Sequence, residues 1–345
     1  MESTTKKTFE FYKCKKFDEN FDSSNISVVV QGPVSDVSVE SLESVRKFLP
    51  DSKIILSTWE GSDVSGLDFD EVVFSKDPHE IGKKYSSNVN RMLVSSLNGL
   101  KAVKTEYTLK IRTDFKLTGL NFLNFFSCDC IESKELRLFK KPLVAYAWKS
   151  RRGRLFHIGD FYFFGLSEDI LSLFDIPLVT EEEDTWLKNN SPKNNYRVKG
   201  SNKFHPEQHL WIKFLEKNNI SIDLVDYTDY SEDMRIFTEK TFANNIIVAS
   251  FFEFSIVAIK ESLFHFNLPL QRHLYMFNDW VFLCRKYIDK DYVPAFTPPR
   301  LSLPKVCLAK TLLVSARALS YFIPSSKKRK GIRIGSANLA AKLFI

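Results

Sequence analysis

The sequence predicts an α/β protein: a mainly parallel sheet with helices on both faces, followed by a basic helical tail. Three observations lead there. Short β-branched runs alternate with amphipathic helical stretches over about the first hundred residues after residue 25. The clearest unit, a long helical pattern, a short turn and the strand Tyr107–Arg112, places the acid Asp114 just past a strand end, as in open sheets whose ligands collect at the carboxyl ends of the strands. Finally, 345 residues with 44% hydrophobic content are ample for a large core.

Each element has its own signal. Residues 1–25 are polar and charged with a few aromatics and form a lead-in. Ile26–Val30 is a β-branched run stopped by Gln31-Gly32-Pro33, hence a buried first strand and a tight turn. Val39, Leu42, Val45 and Phe48 recur at helical spacing before Pro50. Lys53–Leu56 reads as a second strand that ends in the polar loop STWEGSDVSG, and Glu71–Phe74 as a third. Residues 85–103 form a helix, with Tyr85, Val89, Met92, Leu93 and Leu100 on one face. In Tyr107–Arg112, Tyr107, Leu109 and Ile111 alternate with Thr108, Lys110 and Arg112, the period of a strand.

Beyond residue 117 the pattern changes. Phe122–Phe126 reads as a helix, Leu143–Tyr146 as a strand, and Arg151, Arg152 and Arg154 as a basic loop. A nearly all-aromatic strand follows Asp160, residues 180–205 form a polar loop of lid length, and a helix opens at Pro206. The apolar stretch Ile246–Ile259, interrupted by Glu253, suits buried strands. Lys305–Phe322 is a basic amphipathic helix with Leu308, Leu312, Leu319 and Phe322 along one stripe; Pro324 ends it and the cluster Lys327–Lys330 follows. The organisation is therefore a lead-in (1–25), a body (26–300) and a tail (301–345).

The net charge of +7 is unevenly placed. The tail holds nine Lys and Arg and no acid, leaving 40 basic and 42 acidic groups in residues 1–300, a net of −2. A near-neutral body argues against a broad nucleic-acid surface. The tail has the make-up of an interfacial anchor on anionic lipid, where each basic residue contributes on the order of 1 kcal/mol. A terminal core helix or an RNA-binding tail are the other readings. The first thirty residues lack the apolar core of a signal peptide, and no 18-residue uncharged apolar run exists. Five scattered cysteines, with Cys128 and Cys130 a lone C-x-C, suit reduced thiols in a cytoplasm better than a disulfide framework or a zinc site. No Gly-x-Gly-x-x-Gly follows the first strand and no Walker-type Gly-Lys-Ser/Thr occurs, which argues against a dinucleotide enzyme or an ATPase.

Several residues are placed to carry chemistry, each with a structural reading beside the functional one. Gln31 and Gly32, at the end of the first strand, suit nucleotide contact or only a turn. Asn88, Asn90 and Arg91 start the long helix, where the dipole favours phosphate, or form a solvated face. Asp114 suits a metal ion or a ligand hydroxyl, or a cap paired with Arg112. His157 and Asp160, at the mouth of the aromatic strand, suit metal ligation or general-base work, or a buried His–Asp pair. Glu207, in the first turn after Pro206, suits a cleft or a dipole complement.

Five stretches then carry a resemblance: ISVVVQGPV, IILSTWEGSDVSGLDFDEVV, SSNVNR, LKIRTDFKL, and HIGDFYFFGLSEDI followed by PEQHLW. Over roughly residues 26–300 the chain resembles the WavE lipopolysaccharide-synthesis family. That resemblance implies a bacterial glycosyltransferase of the GT-A type, binding a nucleotide sugar at the carboxyl ends of a Rossmann-like sheet. It implies a lipid-linked or polysaccharide acceptor, and with the tail a cytoplasmic protein peripheral on the inner face of the cytoplasmic membrane. The Asp-x-Asp expected in GT-A enzymes reads Arg112-Thr113-Asp114 here. Either Asp114 with a later ligand, His157 or Asp160, holds Mg²⁺ or Mn²⁺, or Arg112 supplies the positive charge. The general base is then Asp160 first, or Glu207. A metal-dependent nucleotidyl- or phosphotransferase and a non-catalytic membrane-associated assembly protein are the alternatives.

Overall fold

The computed structural model describes residues 22–78, 88–128, 136–146, 150–190, 202–259, 274–298 and 303–342. Most of the lead-in, residues 85–87 of the expected helix, Cys130 and most of the second half of the 180–205 loop lie outside these residues.

A single 3-10 turn, Ser23–Asn25, leads into β1 (Ile26–Gln31). Then come α1 (Ser38–Phe48), β2 (Lys53–Trp59), β3 (Glu71–Ser75), α2 (Val89–Lys101) and β4 (Tyr107–Arg112). The four strands lie in the order β3-β2-β1-β4, all parallel, as the alternation of strands and helices predicts. Successive side chains point to opposite faces. Val28, Val30, Leu109 and Ile111 enter one core layer with Leu42 and Val45 of α1. Val29 and Ile55 enter the other with Met92 and Leu93 of α2. At Gly99 the helix lies so close to the sheet that an added Cβ would stand 2.7 Å from Val29 Cγ1.

The strand β2 runs three residues past its expected end. Ser57 and Thr58 are buried between β1 and β3, and Ser57 satisfies its hydroxyl on Ser95 O at 2.6 Å. The polar residues that suggested a loop are therefore strand, and Trp59 ends β2 rather than sitting in the loop.

The second half of the body is mixed. It runs β5 (Phe115–Leu117), α3 (Phe122–Phe126), β6 (Leu143–Tyr146), β7 (Phe163–Leu166), α4 (Ser167–Phe174), α5 (Glu181–Asn190), α6 (Pro206–Lys217), α7 (Glu232–Asn245), β8 (Ile246–Ala249), α8 (Phe251–Phe254), β9 (Ile256–Ala258) and α9 (Phe277–Tyr287). Among the described residues the main sheet has seven strands in the order β3-β2-β1-β4-β7-β6-β8. Only β7 is antiparallel to its neighbours there, β4 and β6, and β6 pairs with β8 in parallel. A separate antiparallel pair, β5 with β9, sits just past the end of β4. The phenylalanines fill the layer between: the Phe125 ring meets Phe254, Phe277 and Phe296 edge-on at centroid distances of 5.1, 5.0 and 4.9 Å.

Two expectations change in this half and one in the tail. The 180–205 loop begins with a helix, α5, whose first turn carries Glu181, Glu182, Glu183 and Asp184, a complement to the dipole. Thr180 and Glu183 form a reciprocal cap, with Glu183 N donating to Thr180 Oγ1 at 3.2 Å and Thr180 N to Glu183 Oε2 at 3.0 Å. Within Ile246–Ile259, the helical turn α8 separates the two buried strands. The tail holds two helices rather than one, α10 (Leu303–Tyr321) and α11 (Ser326–Lys342), and Lys327–Lys330 opens the second. They pack on each other over buried Ala309, Leu313 and Ser320, and Arg333 Nε donates to Ser320 Oγ at 2.9 Å. No described helix is long and apolar enough to cross a membrane.

Candidate active site

The chain leaves β1 for β2 and β3 on one side, then returns through α2 to β4 on the other. The strand order therefore reverses between β1 and β4, and a crevice opens at the carboxyl ends of such a pair. A cleft of about 610 Å³ lies there. Seven of the expected site residues line it: Gln31, Gly32, Asn88, Arg91, Arg112, Asp160 and Glu207. Asp114 and His157 do not line it, and each supports a residue that does.

Gly32 turns the chain at the end of β1 with φ +128°, and a Cβ there would stand 3.1 Å from Thr113 Oγ1. The turn is tied to both flanking strands, with Gly32 N donating to Ser57 O and Thr113 N to Gln31 O, each at 3.0 Å. Glycine is thus required by conformation and by space, and the backbone at the strand end is left bare to a ligand. Gln31 is only 6% exposed. Its Nε2 donates to Ser95 Oγ at 2.8 Å, which leaves Oε1 buried without a hydrogen-bond partner.

The start of α2 supplies the next wall. Asn88 is its N-cap residue, so the unbonded N–H groups of the first turn and the positive end of the dipole lie at the cleft. Arg91 projects from that turn. Its Nε donates to Asp77 at 2.8 Å and its Nη1 to Asn88 Oδ1 at 3.2 Å. Asn90, on the same turn, is spent elsewhere: it is buried and exchanges two hydrogen bonds with the Val179 backbone, at 3.0 and 2.8 Å.

At the end of β4, Arg112 forks onto Asp114, Nε to Oδ1 at 2.9 Å and Nη2 to Oδ2 at 2.8 Å. Asp114 is 2% exposed. Both of its oxygens serve the guanidinium, so its contribution to the cleft is the orientation of Arg112. The Phe161 ring supports the same guanidinium, 4.6 Å from the centroid.

Asp160 precedes the aromatic strand and is 7% exposed, and its Oδ1 is buried with no hydrogen-bond partner. Beneath it lies Lys110, a fully buried lysine in β4. Its Nζ donates to Asp160 O at 2.6 Å and lies 4.8 Å from the Phe174 ring centroid. Burial drives the lysine down to about 7, opposed by the Asp160 charge and reinforced by Arg112. The sequence pattern did not single out Lys110, since alternation with Leu109 and Ile111 reads as a solvent-facing position. A lysine in the middle of a strand covered on both faces is the signal that was available.

Glu207 stands in the first turn of α6, 5% exposed. His157 lies beside it with Nε2 3.7 Å from Glu207 Oε2, both side chains almost fully buried. His157 also faces the His205 ring at 5.6 Å, and His205 N donates to Gln208 Oε1 at 3.3 Å. Gln208 Nε2 in turn holds Leu155 O at 2.8 Å, which ties the His157 segment to the helix. His157, expected as a metal ligand, is thus placed as a partner of Glu207. Among the described residues no group of three or more His, Cys, Asp or Glu could hold a metal ion.

Among the lining residues that were not anticipated as site residues are Trp59 and Asp77. Trp59, at the end of β2, offers a half-buried aromatic face at the same sheet edge as Gln31 and Gly32. Asp77 pairs with Arg91. Arg91 and Arg112 are therefore each matched by an acid, and Asp160 and Glu207 are the further carboxylates on the wall. The cleft combines an aromatic face, a bare backbone turn, two oriented guanidiniums, a helix amino terminus and two buried carboxylates. That set can bind an anionic ligand at the sheet edge and move a proton beside it.

No curated protein matches the chain. Residues 26–301 match the WavE lipopolysaccharide synthesis family, from the first residue of β1 to just before α10. The match covers the whole seven-stranded sheet and every residue of the cleft, and the chain belongs to the WavE lipopolysaccharide synthesis family.

Proposed function

We propose that the protein is a glycosyltransferase that moves a sugar from a nucleotide-sugar donor to a growing bacterial cell-surface glycan. The observation that carries this reading is the single cleft holding Arg91, Arg112 and the α2 amino terminus together with the buried carboxylates Asp160 and Glu207. The strand order β3-β2-β1-β4-β7-β6-β8 with one antiparallel strand supports a GT-A-like body, and family membership supports the glycan.

In this reading the base stacks on Trp59 and the ribose lies over Gln31 and Gly32, where Gln31 Oε1 accepts from a hydroxyl. The diphosphate faces the first turn of α2, Arg91 and Arg112. As the bond to the sugar breaks, negative charge grows on the leaving diphosphate, and oriented donors stabilise it there more than in the ground state. Glu207 takes the proton from the acceptor hydroxyl, and His157 keeps its carboxylate aimed. Asp160, the base expected first from sequence, lies instead over Lys110 beside Arg112, on the diphosphate side. Its unpartnered Oδ1 fits one protein oxygen for a divalent ion, Mg²⁺ or Mn²⁺, which would take its remaining ligands from phosphate and water. Such an ion would supply the positive charge that the acid-matched arginines lack.

The test is release of nucleoside diphosphate from a panel of nucleotide sugars, with Mn²⁺ and with a chelator, in the presence of lipid-linked glycan. Transfer of the sugar with release of nucleoside diphosphate supports the reading. Release of nucleoside monophosphate or pyrophosphate would replace it with a nucleotidyl- or phosphotransferase. No release with any donor would leave an assembly protein.

A further inference from the structure

We infer that the helical hairpin α10–α11 is a docking surface for an anionic lipid bilayer. The inference stands apart from the chemistry of the cleft. Residues 303–342 carry nine basic groups and no acid, and the exposed or half-exposed ones include Lys305, Lys310, Arg317, Lys328 and Arg329. The hairpin also exposes large apolar side chains. Leu308, Leu319 and Phe322 are 50%, 63% and 84% exposed. Helical spacing sets Leu308, Leu312 and Leu319 along one stripe of α10, with Phe322 in the turn just past its end, while Lys310 and Arg317, seven apart, fall on another face. The side of α10 that carries Ala309, Leu313 and Ser320 is already covered. The apolar stripe is therefore left over after the hairpin has formed.

Charge and apolarity together choose the partner. A bilayer with anionic headgroups accepts both in one event: the cations meet phosphate while the leucines and Phe322 enter the headgroup boundary. An RNA would meet the cations but leave the aliphatic stripe in water. The order of charges on α11 points the same way. Its first turn carries Lys327, Lys328 and Arg329 and no acid, at the helix end where a negative partner is favourable. With no described helix able to span, the surface would lie on the membrane rather than cross it.

Co-sedimentation of the full-length protein with vesicles of phosphatidylcholine alone, or mixed with phosphatidylglycerol, tests this. Binding is expected to the mixed vesicles, to be small for the neutral ones, and to be lost at about 1 M salt, where the screening length is about 3 Å. Lys310→Gln, Arg317→Gln and Lys328→Gln combined should reduce partitioning on the order of a hundredfold. Leu308→Ser, Leu319→Ser and Phe322→Ser combined should reduce it at least as much with the melting temperature unchanged. The charge-conserving pair Lys310→Arg and Arg317→Lys should retain binding, which separates loss of charge from loss of fold. Equal binding to both vesicle types, no binding at low salt, binding unaltered by both triple variants, tighter binding to RNA than to vesicles, or a dimer abolished by the apolar triple variant in the absence of lipid would each overturn the inference.

Discussion

The side of the cleft nearest β1 and β2 comes from parallel strand ends and the first turn of α2, whereas the other side comes from the segment before an antiparallel strand and the first turn of α6. The first side presents Trp59, a bare glycine turn and two guanidiniums. The second presents Asp160 and Glu207. In the proposed function the first side holds the anion and the second holds a cation or moves a proton. Each side is stiffened by its own buried network: Gln31–Ser95–Arg91 O on the first, His157–Glu207 with Gln208–Leu155 O on the second. Binding and chemistry are therefore expected to be separable by mutation, although the Arg112 guanidinium on the Phe161 ring links the two sides. Lys110 is a second link, a β4 residue whose Nζ donates to the Asp160 carbonyl.

The largest effect should come from the second side. Glu207→Gln keeps size and hydrogen-bonding reach but removes the base, so kcat should fall about 10²- to 10⁴-fold with KM for the donor little changed. Steady-state kinetics at varied donor concentration would show it, and a KM change without a kcat change would move the base elsewhere. Next comes Arg112→Ala, which removes an oriented cation from the diphosphate and should lower kcat/KM about 10²-fold. Asp114→Asn should follow it in the same direction with a smaller loss, since Asp114 acts through Arg112. If Asp114→Asn abolishes Mn²⁺ dependence while Arg112→Ala preserves it, Asp114 is a metal ligand after all. Asp160→Asn should remove the gain in donor affinity that Mn²⁺ gives, on the order of tenfold, as read by calorimetry with and without the ion. The smallest effect is Trp59→Ala. Loss of one base-stacking face should raise the donor Kd about tenfold and leave kcat unchanged.

The same contrast explains what the sequence made legible. The first side was readable because β1 and β4 announce themselves by β-branched or alternating residues, and ligand-binding positions follow from where such strands end. Gln31 and Gly32 came from that rule, Arg91 from its place at a helix amino terminus, and the role of Arg112 from the family resemblance. Trp59 escaped because Ser57 and Thr58 look like loop, although both are buried strand residues with hydrogen-bonded hydroxyls. On the second side, Asp160 stood out as a polar residue in an aromatic stretch and Glu207 by its place in the first turn after Pro206, but their roles depend on neighbours distant in sequence. Nothing local to His157 reports that Glu207, fifty residues on, lies 3.7 Å away. Nothing local to Phe163–Leu166 reports that the strand runs antiparallel. In the tail, Gly331 and Gly335 weaken the intrinsic helical signal of α11, and the helix is revealed only by its packing on α10.

The separation of the two sides is tested most directly by calorimetric titration of nucleoside diphosphate, without metal, into wild type, Arg112→Ala and Glu207→Gln. The Kd is expected to be at least about tenfold weaker for Arg112→Ala and to keep its wild-type value for Glu207→Gln. Equal weakening in both variants, or a wild-type Kd for Arg112→Ala, would contradict that separation.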